Sequence, residues 1–364
     1  MKLLSLLKEL SLHPKNTEEL KGLILQLAIQ GKLTSNWRLK NPKVEHASVL
    51  LDKVEEKKAI LIQEKKIRNV KPVPIDNELR SIPDTWAWAR MIDYLDVRDG
   101  THDSPKYVSD GFPLVTSKNL YTKKLDITNV KYISKKDHDE ISKRSKVDRN
   151  DILFAMIGTI GNPVIVDIEP NFSIKNVALI KYYEDGLCEP NYILNFLENA
   201  TNEFKADSDG AVQSFVSLKK LRLKEIPIPP LEEQKAIAEV VNALFKEVEA
   251  LENLTKDRIS LKEDFVTSAL RRLTESDNTT QEWNYLQQHF SSFFTEKKNI
   301  KSLRETILQL AVQGKLTAKW REENPSVENA SELLKRIEAE KQQLITEKKI
   351  KKEKPLPPIE EDEI

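Results

Sequence analysis

Residues 20–78 and 303–361 are two copies of one sequence, aligned without a gap at a constant offset of 283 and identical at more than half of the positions. The first copy opens LKGLILQLAIQGKLTSNWRLKNP and the second LRETILQLAVQGKLTAKWREENP. Trp37 therefore matches Trp320, Asn41-Pro42 matches Asn324-Pro325, and Lys71-Pro72 matches Lys354-Pro355. A period this long, present only twice, excludes a solenoid. It requires that one local structure be built at two places, on either side of a different segment.

Each copy predicts helix, turn, helix. Leu23, Leu27 and Gln30 run up to Gly31, the pattern of a short helix closed by a glycine. Asn41-Pro42 marks a turn. Ala47, Leu50, Leu51, Val54, Leu61 and Ile62 then recur at helical spacing, with Glu55, Lys58, Glu64 and Lys65 on the other face. Such a pair buries its stripe on its own domain, or against an equivalent helix within the chain or in a second copy. The sequence leaves both open.

Between the copies lie two unlike segments. Residues 79–230 hold most of the glycines and aromatics, and 112–115, 152–156, 163–166 and 178–182 read as short strands. This predicts a compact mixed α/β domain. Ile226-Pro227-Ile228-Pro229-Pro230 then fixes an extended connector. No Gly or Pro follows from Leu231 to Gln313. Ile237, Val241, Leu244, Val248, Leu251, Leu254, Leu261 and Phe265 recur near a 3.5-residue spacing, which predicts a single helix roughly 60 Å long. A helix of that length buries one stripe against another long helix, so these eight residues are candidates for a dimer interface. The expected architecture is α+β: a helical repeat (1–78), a globular domain (79–230), a spacer or dimerisation helix with linker (231–298), and a second repeat (299–364).

Charge narrows the function classes. The 58 Lys and Arg balance 58 Asp and Glu, so any nucleic-acid binding rests on local basic patches or basic partners. Cys188 is the single cysteine, which excludes an internal disulfide and a thiolate zinc cluster. No apolar run reaches the ~18–20 residues of a membrane span. Residues 1–12 carry Lys8 and Glu9 inside the apolar stretch and predict an amphipathic helix, not a signal peptide. A soluble cytoplasmic protein with no membrane partner is expected.

Several motifs together resemble the specificity subunits of type I restriction–modification enzymes. Pro83-Asp84-Thr85-Trp86-Ala87-Trp88 is similar to the opening of their recognition domain. Asp99-Gly100-Thr101-His102-Asp103-Ser104-Pro105-Lys106 is similar to an early loop of that domain, and Asp151-Ile152-Leu153 with Ile157-Gly158-Thr159-Ile160-Gly161 to a strand–turn–strand element. Pro229-Pro230-Leu231-Glu232-Glu233-Gln234 resembles the junction into the spacer helix, and the two repeats resemble the family's conserved regions. The resemblance covers nearly the whole chain, with the motifs in the family's order. It implies one globular target recognition domain flanked by long coiled-coil-forming conserved helices, binding double-stranded DNA. It also implies partners: a modification (methyltransferase) subunit and a restriction (translocase and endonuclease) subunit. S-adenosylmethionine, ATP and Mg are expected on those partners, with no cofactor in this chain. A full-length subunit reads a bipartite site with two recognition domains, whereas this chain has one, the plan of a half-length form. Two copies on a two-fold axis would restore both domains. The alternative is one piece of a longer gene.

No catalytic constellation stands in the sequence. There is no Asn/Asp-Pro-Pro-Tyr/Phe motif for methylating a flipped base and no phosphate-binding GxxxxGK[ST] loop. The Gly158-to-Gly161 stretch reads as a turn, and the five histidines offer no paired metal ligands. Basic clusters carry the recognition candidates: Lys143, Arg144 and Lys146, then Lys219, Lys220 and Arg222. Lysines and arginines of this kind hold phosphates, while polar loop residues read base edges. Thr101, His102, Lys106, Thr116, Ser117, Lys118, Asn119, Gln213 and Ser214 are the loop candidates. The competing reading is a coiled-coil scaffold whose globular domain binds protein rather than DNA.

Overall fold

The computed structural model describes residues 16–70, 73–75, 81–121, 123–206, 215–276 and 278–352. The helix expected over 1–12, and the candidates Gln213 and Ser214, lie outside the described residues. The chain divides into two compact units, Met1–Lys256 and Asp257–Ile364. The first repeat and the globular segment, separate in sequence, thus fall within one unit.

The first repeat forms α1 (Asn16–Ile29), α2 (Ser35–Lys40) and α3 (Ala47–Gln63). Gly31 ends α1 at φ 68°, and its amide donates to Ala28 O at 2.9 Å while Lys32 N donates to Leu27 O at 2.9 Å. A β-carbon at Gly31 would also come within 2.6 Å of the Pro83 ring, so the site excludes any other residue on two counts. His46 caps α3 by accepting from Ser48 N. Leu25, Ala28, Ala47, Leu50 and Val54 are buried in one cluster with Trp86, Ala89, Met91 and Tyr94. Of the two packings left open by the sequence, the first copy takes the one on its own domain.

The domain runs β1 (Ala87–Arg90), α4 (Met91–Tyr94), β2 (Asp96–Asp99), β3 (Tyr107–Val108), β4 (Phe112–Val115) and β5 (Lys131–Ile133), then α5 (Lys135–Ser145). It continues through β6 (Ile152–Ala155), β7 (Gly161–Ile165), β8 (Ser173–Ile174), β9 (Val177–Lys181), α6 (Pro190–Ala206), α7 (Leu218–Leu223) and β10 (Glu225–Ile228). One four-stranded sheet has the order β2-β9-β6-β7 and is antiparallel, and a second has the order β3-β5-β4-β8. β6 and β9 are buried on both faces. Ile152, Phe154, Ala178 and Ile180 point into the cluster shared with the repeat, while Leu153, Ala155, Val177 and Leu179 point into a second cluster with Val115, Leu120 and Ile174. That explains why these strands read as continuous apolar runs rather than alternating ones. β1 pairs antiparallel with β10, Ala87 opposite Ile228, and Arg90 meets Glu225 at 2.7 Å.

Helix α8 (Leu231–Glu275) is 45 residues long and begins in the first unit. The second unit holds its last turns together with α9 (Thr279–Gln288), α10 (Phe290–Phe293), α11 (Lys297–Val312), α12 (Ala318–Glu323) and α13 (Ala330–Thr346). Val266, Ala269, Leu270 and Leu273 pack there with Leu286, Phe294, Leu303 and Leu310. The mixed helix and sheet content is the α+β class expected from sequence.

The two repeats share their local geometry but not their burial. Gly314 repeats the φ of Gly31 at 72°, and Arg321 donates to Thr317 Oγ1 as Arg38 does to Thr34 Oγ1. Yet Leu308, the match of buried Leu25, is 67% exposed, and Ile337, the match of buried Val54, is 50% exposed. The second copy buries the other side of its first helix, through Leu303 and Leu310.

Candidate nucleic-acid interface

A cleft of about 1040 Å³ opens in the first unit between the end of α3 and the mixed domain. Lys58 and Ile62 of α3 line it, with the residues 65–70 that follow. The opposite walls are β2 with the loop Thr101 to Asp103, the last turns of α5, Tyr183, and Arg222 of α7. Thr101, His102, Lys143, Arg144 and Arg222, singled out from sequence, therefore meet on one surface although they come from three separate elements. Lys58, Lys65, Lys66, Arg68, Arg98, Lys143, Arg144 and Arg222 face Asp96, Asp99, Asp103 and Glu140. Eight lining cations face four lining carboxylates, and with Asp93 on Lys58 and Glu64 on Lys66 counted the cleft stays locally basic in a chain of zero net charge.

Close backbone approach fixes the loop. Thr101 N donates to Ile174 O at 3.0 Å, and a β-carbon at Gly100 would lie 2.4 Å from that same oxygen. Arg144 Nη2 donates to Gly100 O at 2.9 Å, tying α5 to the loop. His102 Nε2 sits 2.9 Å from Asp99 Oδ2, and its Nδ1 sits 3.2 Å from Asn176 Oδ1. Both ring nitrogens are engaged within the domain. Lys143 pairs with Glu140, Arg98 with Asp96, Arg144 with Asp99 and Lys146 with Asp148. A phosphate entering here competes with these carboxylates for the cations. Arg222 donates Nε to Val97 O at 2.8 Å and meets no carboxylate among the described residues.

Other candidates are corrected or placed elsewhere. Asn119 is buried: its Oδ1 accepts from Thr116 N and Thr116 Oγ1, and its Nδ2 donates to Asp126 O and Asn129 O. Thr116 and Asn119 form a box that caps the short 3-10 turn Ser117–Leu120, so neither side chain is available to a base. The sequence suggested reading residues because Thr and Asn are the types that read bases; they are equally the types that cap turns. Ser117 Oγ lies 3.4 Å from Asn176 O, whereas Lys118 and Lys106 are exposed and line no part of the cleft. In the run 219–224, Lys219 is exposed, Lys220 lies over the Phe204 ring, Lys224 pairs with Glu203, and Arg222 alone lines the cleft.

The junction motif proves structural. Glu233 is fully buried in the first turn of α8. Its carboxylate accepts from Thr34 Oγ1 at 2.7 Å, Trp86 Nε1 at 2.9 Å and the Arg38 guanidinium. Gln234, also buried, donates to Tyr94 Oη and Pro229 O and accepts from Glu189 N. Ile237 and Val241, proposed for a dimer seam, are instead fully buried in the chain's own core, because the first turns of α8 pack beneath the domain. Leu244, Val248 and Leu251 are half-buried, and Phe265 stacks on Phe293 at 3.9 Å. Leu254 and Leu261 are 66% and 69% exposed.

Two features escaped the sequence reading. Lys65, Lys66 and Arg68 line the cleft, and the signal was present as Lys-Lys-Ile-Arg just past an amphipathic helix, where it passes for a solvated tail. Asp151, in a motif matched only by resemblance, accepts from Asp148 N at 2.6 Å and Lys181 Nζ at 2.5 Å. Burial pushes its carboxyl up to about 6 against the pull of Lys181. Gly161, φ 101°, has Thr201 of α6 where a β-carbon would stand, so the glycine turn serves packing. Among the described residues no group of His, Cys, Asp or Glu is placed to hold a metal, and no helix is long and apolar enough to cross a membrane.

The chain resembles known proteins in sequence. Residues 101–261 match the family model of the type I restriction modification DNA specificity domain. Across 95% of its length it is 30% identical to the specificity subunit of the Escherichia coli type I restriction enzyme EcoAI and 28% identical to that of EcoEI. It spans 59% of the length of each of those relatives. The crystal structure of the HsdS subunit from Thermoanaerobacter tengcongensis is similar at a TM-score of 0.38, with 18% identity over 63% of this chain and 53% of that one.

Proposed function

We propose that this chain is a DNA-reading subunit of a type I restriction–modification assembly. The observation that carries the reading is the basic cleft, since its lining holds more cations than carboxylates and includes Thr101, Lys143, Arg144 and Arg222 of the segment matched to the DNA specificity family. Phosphates would be held by the cleft cations, and base edges reached by side chains at its rim. No catalytic step is assigned to this chain: adenine methylation with S-adenosylmethionine belongs to a modification subunit, and ATP- and Mg-dependent translocation and cleavage to a restriction subunit, both docked on the helical elements. Two copies pair along α8, where exposed Leu254 and Leu261 leave apolar surface for a partner helix. The pair then reads the same half-site twice in opposite orientation, an interrupted palindrome.

The test is binding of the chain, alone and with its modification subunit, to duplex DNA across a salt series. The chain alone is expected to bind weakly, since zero net charge opposes phosphate neutralisation, and the assembly tightly and with steep salt dependence. Salt-insensitive binding, or none, favours the protein-binding scaffold. Sequencing of methylated sites with and without the gene tests the pairing: a site with two unlike halves, from this chain acting without another recognition subunit, rules it out.

A further inference from the structure

Several cations of the cleft are paired within the domain, whereas, among the described residues, Lys65 and Arg68 at the end of the first repeat are not. Arg98, Lys143 and Arg144 each face a carboxylate of their own domain. Lys65 and Arg68 line the same cleft, are exposed, and meet no carboxylate among the described residues. Lys66 between them is tied only to its neighbour Glu64, at 2.9 Å, in a pair that is exposed to solvent and therefore contributes little.

This tail is held in place. Lys65 takes φ 57°, and Lys66 N then donates to Leu61 O at 2.9 Å, turning the chain back off the helix. Ile67 packs against the domain core, so its two cationic neighbours are anchored at the cleft wall. The turn belongs to the repeat itself: Lys348 has φ 57° and Lys349 N donates to Leu344 O at 2.9 Å in the second copy. The second-copy turn leads into a smaller pocket lined by Ile337, Glu340, Lys341, Leu344, Ile350 and Lys351, whereas the first lies against the larger cleft with its arginines.

We propose that residues 65–68 form a phosphate-binding arm of the DNA interface, contributed by the helical repeat and lying outside the segment matched to the specificity domain. The proposal rests on the DNA reading given above. A phosphate oxygen bonding Lys65 or Arg68 displaces no internal carboxylate, so these residues neutralise the backbone while the already paired cations of α5 position the loop. Since phosphate contacts carry no sequence information, the arm contributes affinity and register.

The test uses the full chain assembled with its modification subunit and a mixed-sequence duplex of about forty base pairs, titrated by fluorescence anisotropy over a salt series. Each lost phosphate contact flattens the slope of log affinity against log salt by ~0.9. Lys65→Gln with Arg68→Gln is therefore expected to lose ~12-fold less affinity than the parent between 50 and 200 mM salt. Lys40→Gln with Lys43→Gln removes the same charge from exposed positions of the repeat outside the cleft and should keep the parental slope. Equal slopes for the parent and the Lys65/Arg68 variant, with the parent binding, overturn the arm and leave the DNA reading standing. An equal flattening in the Lys40/Lys43 control also overturns the arm, because bulk charge then accounts for it. A parent that shows no salt-dependent binding overturns the DNA reading and the arm with it.

Discussion

Three donors from separate stretches of the chain, Thr34, Arg38 and Trp86, converge on the Glu233 carboxylate with no water-exposed edge. Replacing Glu233 by Ala strands a partly buried guanidinium, an indole N–H and a hydroxyl, and should cost ~3–5 kcal/mol of unfolding free energy. The exposed neighbour Glu232 changed to Ala should cost under ~1 kcal/mol; denaturant midpoints decide between them. At Asp151 the issue is pH. The carboxyl titrates near 3.8 in the unfolded chain and near 6 in the folded one. Between those values the folded state holds more of this proton, so its contribution to stability falls as pH rises through the window. The difference in stability between the parent and Asp151→Asn should accordingly fall by ~1 kcal/mol per pH unit from pH 4 to 6. A flat difference would show that Lys181 fully offsets the burial. At this scale the sequence told residue types but not roles. Asn119 looked like a base reader and Glu233 stood only as part of a junction motif, and only the contacts reveal that both are spent inside the fold.

Elements were more legible, because spacing records burial. The two-helix repeat, the glycine stop at Gly31 and the strands β4, β6 and β9 all follow from pattern. What pattern does not record is which neighbour covers an apolar stripe. The spacing of α8 required a partner along its whole length, yet Ile237 and Val241 find theirs in the domain and Phe265 finds Phe293. Leu254 and Leu261 remain exposed. Changing both to Asp should leave the thermal unfolding of the chain within ~1 kcal/mol of the parent while dissociating the proposed pair. Light scattering showing an unchanged mass for that variant would place the interface elsewhere.

Across the whole molecule, the cleft was the least legible feature, since its walls come from residues 58–70, 92–103, 140–145 and 218–222. Only the tertiary fold makes them neighbours. The two compact units also differ in how much they bury: the first carries two apolar clusters that include both faces of β6 and β9, and the second a smaller one built on helices. Local opening follows local burial. Hydrogen exchange should therefore protect the amides of β6 and β9 longest and release those of α13, in which no residue is buried, first. Uniform exchange across the chain would mean a single cooperative block.

The pairing of β1 with β10 has a consequence for how such a chain can change. Its first and last strands lie side by side, one inter-strand spacing of ~4.8 Å apart. The segment between them thus leaves and re-enters the scaffold at one strand pair, and packs on the first repeat through the shared apolar cluster. A segment of different length and different loops, ending in the same two strands, leaves the geometry of that pair untouched. An engineer who keeps those two strands and the side chains of the shared cluster can exchange the segment as a unit while the latch at Glu233 and the helices beyond it stay as they are.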